Sequence, residues 1–366
     1  MMENELYRDA LQAIDPYIPG KSMEDVKNEY NLDAVIRLAS NENPFGPSPK
    51  AIQAAKEAMV DTHLYPDSTA KKLRKCLAEL YGVHSKQVMT ANGADEVLSL
   101  LIAAYINEGD EVVYCTPTFP TYRSETLLMG GIPKEVSLTQ DWKYDLSKML
   151  DMITNKTKMI IICNPNNPTG TIVSQEELAE FFNKVPNHVL VVMDEAYIEY
   201  HIQQNKYLTG IDLFKQSFDN LITVRTFSKF YGLAGLRVGY AIGLEQYLEP
   251  IQRIRPPFAT NRPAIEAAVQ AIKDKAFSSK HIPEMEEQKA YLEKELTKIG
   301  FTVIPSATNF LFVHVKKDAT DLFEQLLYKG IIIRPCAPWG LPEYARITIG
   351  TKEQNDKLIY DLKNMV

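Results

Sequence analysis

The sequence predicts an α/β protein with a large domain, whose mostly parallel sheet is flanked by helices, and a smaller α+β domain. Two observations lead to this prediction. Short apolar runs alternate with helical segments over much of the chain, as in a sheet built from strand–helix–strand units. Several runs are almost entirely apolar, as expected of strands covered on both faces. The predicted strands are QVMTA, EVVYC, MIIIC, VLVVM, LITVR and VGYAI.

Helices are predicted between these strands at GADEVLSLLIAAY, TFPTYRSETLLM and SQEELAEFFNK. The pattern changes after RIRPPFATNRP, a segment rich in Pro and Arg that resembles a hinge. A long charged helix near residues 281–299 follows, and then TNFLFVHV, a helix, GIIIRP, ARITIG and a last helix. We therefore predict a large domain over residues 45–255 and a small domain formed by residues 1–44 and 256–366.

Composition excludes several classes of protein. The chain has 366 residues, enough for two domains. Its net charge of −7 argues against a general binder of nucleic-acid backbones. No apolar run is long enough to cross a bilayer, and the acidic start MMENELYRDA is unlike an export signal. The six histidines are dispersed, so we expect no metal site. Four cysteines without a CxxC pair predict free thiols in a reducing cytoplasm.

Polar side chains follow four of the predicted strands at the point where each strand ends. In open α/β sheets, ligands bind just beyond the carboxyl ends of the strands. We therefore expect these groups to meet at one edge of the sheet. They are Asn92 and Gly93 after QVMTA, Asn167 in the segment after MIIIC, Asp194 and Tyr197 after VLVVM, and Thr226, Ser228 and Lys229 after LITVR.

The segment TFSKFYGLAGLR places Lys229 among small and aromatic residues, unlike a solvated surface pattern. A lysine becomes a nucleophile toward carbonyl carbons when its amine is desolvated or lies near another cation, here Arg237. Arg237 is also suited to hold a phosphate through a bidentate fork. Thr226 and Ser228 offer hydroxyl donors or ordinary turn capping, and the helix that begins after Gly93 offers free N–H groups to an anion.

Asp194 ends an apolar strand, where a carboxylate is costly unless it is paired. A protonated ring nitrogen of a cofactor would be such a partner, and a distant Arg or Lys is the alternative. Tyr197 and Asn167 can donate hydrogen bonds to a phenolate oxygen. A nucleophilic lysine, a phosphate site and an acid for a ring nitrogen together describe the requirements of pyridoxal 5'-phosphate.

The motifs NPNNPTG, DEAY and SKFYGLAGLRVGY, in this order, resemble those of the fold-type I aminotransferases that depend on pyridoxal phosphate. The resemblance runs from about Pro16 to the C-terminus. The segments PYIPGK, LASNENPFGPSP, HLYPD, RPPFATN and IIIRP…ARITIGT are similar to those of the branch of this family that acts on histidinol phosphate.

The resemblance implies a role for each matching residue. Lys229 would bond to the cofactor through a Schiff base, Asp194 would pair with its ring nitrogen, and Phe119 would stack on the ring. Relatives carry Tyr or Trp at that position, so the hydrogen bond of those rings is absent here. Residues implied to contact the ring oxygen are Tyr197 and Asn167, and those implied to hold the phosphate are Gly93, Ala94, Asp95, Thr226, Ser228 and Arg237.

The resemblance also implies a homodimer, in which Tyr65 reaches the cofactor phosphate of the other subunit. Tyr17, Asn41, Arg334 and Arg346 would line the substrate site, with Arg346 in the place that grips the α-carboxylate of an amino acid. Arg334 ends the segment GIIIR and Arg346 begins RITIG, so neighbouring strands would aim both at one anion. A structural salt bridge of Arg334 is the alternative. The implied reaction converts L-histidinol phosphate and 2-oxoglutarate to imidazole-acetol phosphate and glutamate in histidine biosynthesis.

Three alternatives stay open from the sequence. The nearest is an aromatic amino acid aminotransferase, because members of this branch overlap in substrates. A decarboxylase of phosphorylated threonine that uses the same cofactor is the second. The third is a non-catalytic effector domain of a transcription regulator, which would need a DNA-binding module that the short segment before Tyr17 does not provide.

Overall fold

The computed structural model describes residues 6–16, 20–203 and 205–365. Its strands are β1 (Ile36–Arg37), β2 (Val88–Ala91), β3 (Glu111–Thr116), β4 (Ile132–Ser137), β5 (Thr157–Cys163), β6 (Leu190–Asp194), β7 (Leu221–Thr226), β8 (Gly239–Gly243), β9 (Thr302–Ile304), β10 (Phe310–His314), β11 (Ile331–Ile332), β12 (Arg334–Pro335) and β13 (Tyr344–Thr348).

Its helices are α1 (Met23–Glu29), α2 (Pro49–Ala58), α3 (Lys71–Tyr81), α4 (Ala94–Tyr105), α5 (Thr121–Leu128), α6 (Leu146–Asp151), α7 (Gln175–Lys184), α8 (Glu199–Ile202), α9 (Gly210–Lys215), α10 (Glu245–Ile254), α11 (Arg262–Lys273), α12 (Lys275–Lys280), α13 (Ile282–Ile299), α14 (Ala319–Leu327) and α15 (Lys352–Lys363). None of these helices is both long and apolar enough to span a membrane.

A seven-stranded sheet forms the centre of the fold, in the order β2-β8-β7-β6-β5-β3-β4. The neighbours from β4 to β7 pair in parallel, whereas β8 is antiparallel to both β7 and β2. The six predicted strands are present, and the prediction of a mostly parallel sheet flanked by helices is confirmed. Strands β5, β6 and β7 are buried along almost their whole length, which explains their continuous apolar sequence.

Strand β4 was not predicted. It lies at the edge of the sheet, next to β3, and most of its residues are partly or fully exposed. Its sequence IPKEVS contains a proline and two charged residues, as is usual for edge strands. Only Val136 is buried, so the apolar signal that marks the central strands is missing here.

A second, antiparallel sheet has the order β12-β13-β10-β9, and β1 pairs with β11 in a separate two-stranded sheet. Buried apolar residues form one large cluster between Ala51 and Ile272 and another that contains Leu38 and residues from Tyr197 to Leu362. Helix α11 buries its apolar face in the first cluster. The domain boundaries stay a prediction, and this packing favours a boundary after Lys273 over one at residue 255.

Candidate active site

A cleft opens at the carboxyl ends of β5, β6 and β7, where parallel strands deliver their following residues to one edge. It encloses about 920 Å³ of empty space, part of which is open to solvent. The structure brings most of the predicted site residues to this cleft. Those that line it are Asn41, Ala94, Asp95, Phe119, Asn167, Asp194, Tyr197, Thr226, Ser228, Lys229, Arg237, Arg334 and Arg346.

Lys229 follows β7 and is partly buried in the cleft wall. Its Nζ atom donates a hydrogen bond of 3.0 Å to the carbonyl oxygen of Ser40 and lies 5.6 Å from the centre of the Tyr197 ring. Desolvation, followed by the charge of Arg346, lowers the pKa of Lys229 to about 8. The sequence suggested Arg237 as the neighbouring cation, but its contribution to this lowered pKa is smaller than that of Arg346.

Asp194 is 4 % exposed at the end of β6. Its carboxylate accepts hydrogen bonds from the Tyr122 hydroxyl, at 2.6 Å, and from the backbone N–H of Ala196, at 3.1 Å. Burial raises the pKa of Asp194 to about 6, against the effect of these two hydrogen bonds. In the described part of the chain, no Lys or Arg forms an ion pair with it, so the alternative of a distant cation is not realised.

Tyr122 is a site residue that the sequence did not reveal. It lies on α5 and is completely buried, and a buried tyrosine hydroxyl normally finds a hydrogen-bond partner. Nothing in the segment TYRSETLL marks it as different from a core aromatic residue, because its partner comes from another strand.

Tyr197 and Asn167 lie on the same side of the cleft as Arg346. The Tyr197 hydroxyl accepts a hydrogen bond of 3.0 Å from Asn41, and burial raises the pKa of Tyr197 to about 12, so its oxygen keeps its proton. Arg346 donates to the side-chain oxygen of Asn167 at 2.5 Å and to the carbonyl of Ala39 at 2.6 Å. Because the Asn167 side-chain oxygen accepts a hydrogen bond from Arg346, Asn167 offers its amide N–H groups to a ligand.

The start of α4 forms an anion-binding cradle with Arg237. Gly93 has φ +96°, which favours glycine, and a Cβ atom there would lie 2.6 Å from an Nη atom of Arg237. The guanidinium donates to the Ser228 hydroxyl at 3.2 Å and pairs with Asp95 at 3.2 Å. The first-turn N–H groups of α4, the Ser228 hydroxyl and the guanidinium are donors of the type that phosphate oxygens require.

Arg334 and Arg346 are directly opposite each other in the antiparallel pair β12–β13. Residues in this relation project from the same face of a sheet, and both side chains line the cleft. Phe119 lines the same cleft and contacts Tyr122 edge to face, with ring centres 5.9 Å apart. Neighbouring strands therefore bring both arginines to one cleft.

The predicted residue Tyr65 does not line the cleft of its own chain. Tyr65 is 78 % exposed and stacks on Phe258, with ring centres 4.5 Å apart, outside the cleft of its own chain. Val60 and Leu64 beside it are also exposed. Tyr17 lies outside the described residues, so its predicted role stays a prediction.

The residues that line the cleft fit pyridoxal 5'-phosphate. The anion cradle suits its phosphate, and the uncompensated carboxylate of Asp194 suits a protonated ring nitrogen. The amine of Lys229 suits its aldehyde. Among the described residues, no group of three or more His, Cys, Asp or Glu side chains is arranged to hold a metal ion.

Comparison with known families supports this interpretation of the fold. The family model for aminotransferases of class I and II matches residues 33–362, so the chain belongs to this family. The histidinol-phosphate aminotransferase of Moorella thermoacetica is 42% identical over 98% of this chain and 92% of its own. That of Halalkalibacterium halodurans is also 42% identical, over 97% of this chain and 95% of its own.

Solved structures show the same fold. The histidinol-phosphate aminotransferase of Sinorhizobium meliloti, in complex with pyridoxal-5'-phosphate, has a TM-score of 0.88 and 26% sequence identity, and the match covers 98% of both chains. L-threonine-O-3-phosphate decarboxylase from Porphyromonas gingivalis has a TM-score of 0.80 and 23% identity, over 90% of this chain and 99% of that one. The predicted fold class and family are confirmed.

Proposed function

We propose that this protein is an aminotransferase that depends on pyridoxal phosphate and converts L-histidinol phosphate and 2-oxoglutarate to imidazole-acetol phosphate and glutamate in histidine biosynthesis. The observation that carries the substrate class is the opposed pair Arg334 and Arg346, which lines the same cleft as Lys229. The relatives that are 42% identical over nearly the whole chain bear the name of this activity.

When bound, pyridoxal phosphate supplies an aldehyde that reacts with amines and a ring that withdraws electrons from the substrate carbon. The start of α4, Ser228 and Arg237 would hold its phosphate, while Tyr197 and Asn167 would donate to its ring oxygen. Asp194 would keep its ring nitrogen protonated, because a buried carboxylate without another cation gains most from a positively charged partner.

Lys229 acts as nucleophile and as general base and acid. Its lowered pKa gives it a larger neutral fraction near neutral pH than an ordinary lysine has, and the neutral amine is the form that attacks a carbonyl carbon. The free amine of Lys229 would also move a proton at the substrate Cα. Such proton transfer contributes about 10²–10⁴-fold to a rate.

The two arginines select the anionic end of the substrate. A carboxylate is satisfied by one guanidinium fork, whereas a phosphate has enough charge and acceptor oxygens for two. Arg346 lies closer to the reaction centre, because it affects the pKa of Lys229 and bonds to Asn167. We assign to it the shared role for phosphate and carboxylate substrates, and to Arg334 the selection of phosphate.

The function is tested by comparing kcat/KM for histidinol phosphate, phenylalanine and tyrosine, with 2-oxoglutarate as acceptor. We expect histidinol phosphate to exceed the other two by about tenfold or more, the factor that ~1.4 kcal/mol of additional binding to the second arginine provides. A preference for phenylalanine or tyrosine would favour the aromatic aminotransferase alternative. Release of carbon dioxide from phosphothreonine would instead favour the decarboxylase.

We further propose a homodimer in which Tyr65 reaches the cofactor phosphate of the partner. The supporting observation is that Tyr65 and Phe258 stack on each other although both are exposed, and that Met59, Val60 and Leu64, which precede Tyr65 in the chain, are exposed apolar residues too. Exposed apolar surface commonly marks protein interfaces. Burial of the Tyr65–Phe258 pair against a second copy would place Tyr65 at a site other than its own.

The shared site is tested by mixing two inactive variants, Tyr65→Ala and Lys229→Ala. A hybrid dimer contains one site with both residues intact, so part of the activity should return. Mass spectrometry of differently tagged subunits checks that hybrids form. A hybrid as inactive as its parents would place Tyr65 outside the partner's site.

We propose a cytoplasmic location, because the four cysteines are free thiols and three of them are buried, as is typical of proteins kept in a reducing compartment. Subcellular fractionation tests this proposal, and recovery of the protein in an oxidising compartment would contradict it. We also propose two domains, with α11 assigned to the large one. Limited proteolysis that cuts between residues 273 and 282 before cutting near residue 255 would support this boundary.

A further inference from the structure

Strands β12 and β13 form a hairpin, and the loop that joins them carries Trp339. Residues Ala337–Trp339 form a 3₁₀ turn, and Gly340 follows with φ +75°. Backbone hydrogen bonds from Cys336 to the Tyr344 carbonyl, at 2.8 Å, and from Leu341 to the Cys336 carbonyl, at 3.2 Å, close the loop. The backbone that carries Trp339 is therefore held by bonds within the hairpin itself.

The indole of Trp339 is shared by two cations. Its ring centre lies 5.7 Å from Cζ of Arg334 and 5.8 Å from Cζ of Arg346. Like charges directly opposite each other on a sheet repel, whereas the face of an aromatic ring attracts a guanidinium within about 6 Å. One tryptophan thus offsets part of the repulsion between the two arginines and limits where each guanidinium can lie.

Trp339 also connects the hairpin to the opposite wall of the cleft. Its Nε1–H group donates a hydrogen bond of 2.7 Å to the carbonyl of Thr118, the residue before Phe119. The Thr118 hydroxyl in turn donates to the side-chain oxygen of Asn166 at 2.8 Å, which fixes that loop. Trp339 does not line the cleft itself, but it contacts the two arginines that do.

We propose that Trp339 is a positioning residue that makes the site selective for a phosphorylated amine by holding Arg334 and Arg346 toward one anion. The inference rests on the proposed function, since it concerns the same site, and goes beyond it by naming what fixes the pair. A single arginine that grips a carboxylate needs no such support. Two arginines that converge on a dianion do, because their mutual repulsion opposes convergence before the substrate arrives.

Two substitutions separate the aromatic face from the N–H group. Trp339→Leu removes both, so we expect KM for histidinol phosphate to rise about tenfold, with kcat within about threefold of wild type. Trp339→Phe keeps an aromatic face and loses the bond to Thr118, so we expect a rise of about threefold. KM for phenylalanine should change by less than about twofold in both variants, because its carboxylate needs only Arg346, which the side chain of Asn167 and the carbonyl of Ala39 also hold in place.

Competition by inorganic phosphate against histidinol phosphate measures anion binding separately from the chemical steps of the substrate. The inhibition constant of phosphate on the holoenzyme should rise in parallel with KM. Trp142→Phe is the matched control, because Trp142 packs on Phe312 and Tyr344 and should leave both constants unchanged. It also leaves Trp339 as the only tryptophan of the chain, so its emission should respond to added phosphate.

The results separate the two proposals. Equal losses for histidinol phosphate and phenylalanine, or an unchanged inhibition constant for phosphate, would overturn the role of Trp339. If Trp339→Leu does not fold, the Phe variant and the fluorescence titration decide the question. A wild-type enzyme that does not turn over histidinol phosphate contradicts the proposed function instead, and phosphate inhibition of phenylalanine turnover then tests Trp339 by itself.

Discussion

Two carboxylates that are neighbours in the sequence have opposite surroundings in the fold. Asp194 and Glu195 follow the same buried strand and are 4 % and 0 % exposed. Glu195 accepts hydrogen bonds from Arg225 at 2.7 and 2.9 Å and from the backbone N–H of Gly210 at 2.6 Å. Asp194 faces the cleft and receives only neutral donors, from Tyr122 and Ala196. Glu195 therefore has a cationic partner, whereas Asp194 has none among the described residues.

The cations of the two regions differ in the same way. Burial disfavours the charged form of Arg225, yet Glu195 raises the pKa of Arg225 well above its usual value. Lys229 contacts a carbonyl oxygen, and its pKa is lowered. A buried charge is costly unless it is paired. Arg225 and Glu195 satisfy each other's charge within the chain, whereas the cleft leaves Asp194 and Lys229 to a ligand, and stability is given up there for function.

The comparison is tested most strongly by Lys229→Ala. Loss of the nucleophile and of the group that moves the Cα proton should lower turnover by about 10⁴-fold or more. The cofactor should still bind through its phosphate, because the anion cradle is intact. Borohydride reduction of wild type, followed by peptide mass spectrometry, should place the cofactor on Lys229.

Lys184→Ala serves as the control for this variant, since Lys184 pairs with Glu180 on an exposed helix face and does not line the cleft. It should keep full activity. Recovery of the reduced cofactor on a different lysine would end the assignment of Lys229.

The paired substitutions Glu195→Gln and Asp194→Asn should separate stability from activity. Glu195→Gln leaves Arg225 buried without its partner, and breaking such a pair costs about 3–5 kcal/mol of the free energy of unfolding. Asp194→Asn should keep the fold and lower activity, mainly in the step that removes the Cα proton. Urea unfolding of the apo-proteins and single-turnover rates measure the two effects. An Asp194→Asn variant with unchanged single-turnover rates would contradict pairing with a ring nitrogen.

The sequence predicts best those site residues that come directly after one apolar strand. Lys229 and Asp194 each follow an apolar run, so their position at the edge of the sheet is encoded locally. The central strands are predicted for the same reason, because burial on both faces requires an apolar sequence. Arg334 ends the segment GIIIR and Arg346 begins RITIG. These segments pair as neighbouring strands, with the two arginines directly opposite each other.

The residues that were missed act across elements. Tyr122 on α5 reaches Asp194 on β6, and Trp339 reaches the loop that contains Thr118. No local sequence pattern distinguishes Tyr122 or Trp339 from an ordinary aromatic residue, because the role of each depends on a contact with a segment that is distant in the chain. The larger effect of Arg346 than of Arg237 on the pKa of Lys229 has the same cause, since Arg346 arrives from the second sheet.

Substitution of Arg334 or Arg346 tests whether the cations that line the cleft bind the substrate. Truncating one partner of a desolvated charge pair costs about 2–5 kcal/mol, or roughly 30-fold to a few thousand-fold. We expect Arg334→Ala to lower kcat/KM for histidinol phosphate by this factor, and for phenylalanine much less. Arg346→Ala should lower both, because Arg346 serves either anion. Equal losses with both substrates in a folded Arg334→Ala protein would remove the argument for a phosphate site and favour an aromatic aminotransferase.

The smallest expected effect concerns how the stability of the apo-protein depends on pH. The pKa of Asp194 is about 6 in the fold and near 3.9 in an unfolded chain. Because the folded value is the higher one, the stability linked to the proton is complete below about pH 4 and is lost as the pH rises through 6. The difference between the two values corresponds to roughly 3 kcal/mol. Asp194→Asn cannot lose a proton there and should escape this loss.

The measurement is the difference in free energy of unfolding between Asp194→Asn and wild type, determined in urea at several pH values. Relative to its value at pH 4, where the unfolded carboxyl is already half deprotonated, the difference should move in favour of the variant by about 2 kcal/mol at pH 7. Because other titrating groups, Glu199 and Lys229 among them, are common to both proteins, the subtraction removes them. Added pyridoxal phosphate should reduce or invert the difference, since wild type alone then gains a charged partner for Asp194. A difference that stays constant from pH 4 to pH 7 would mean that Asp194 carries no uncompensated charge, and the contrast with Glu195 would fail.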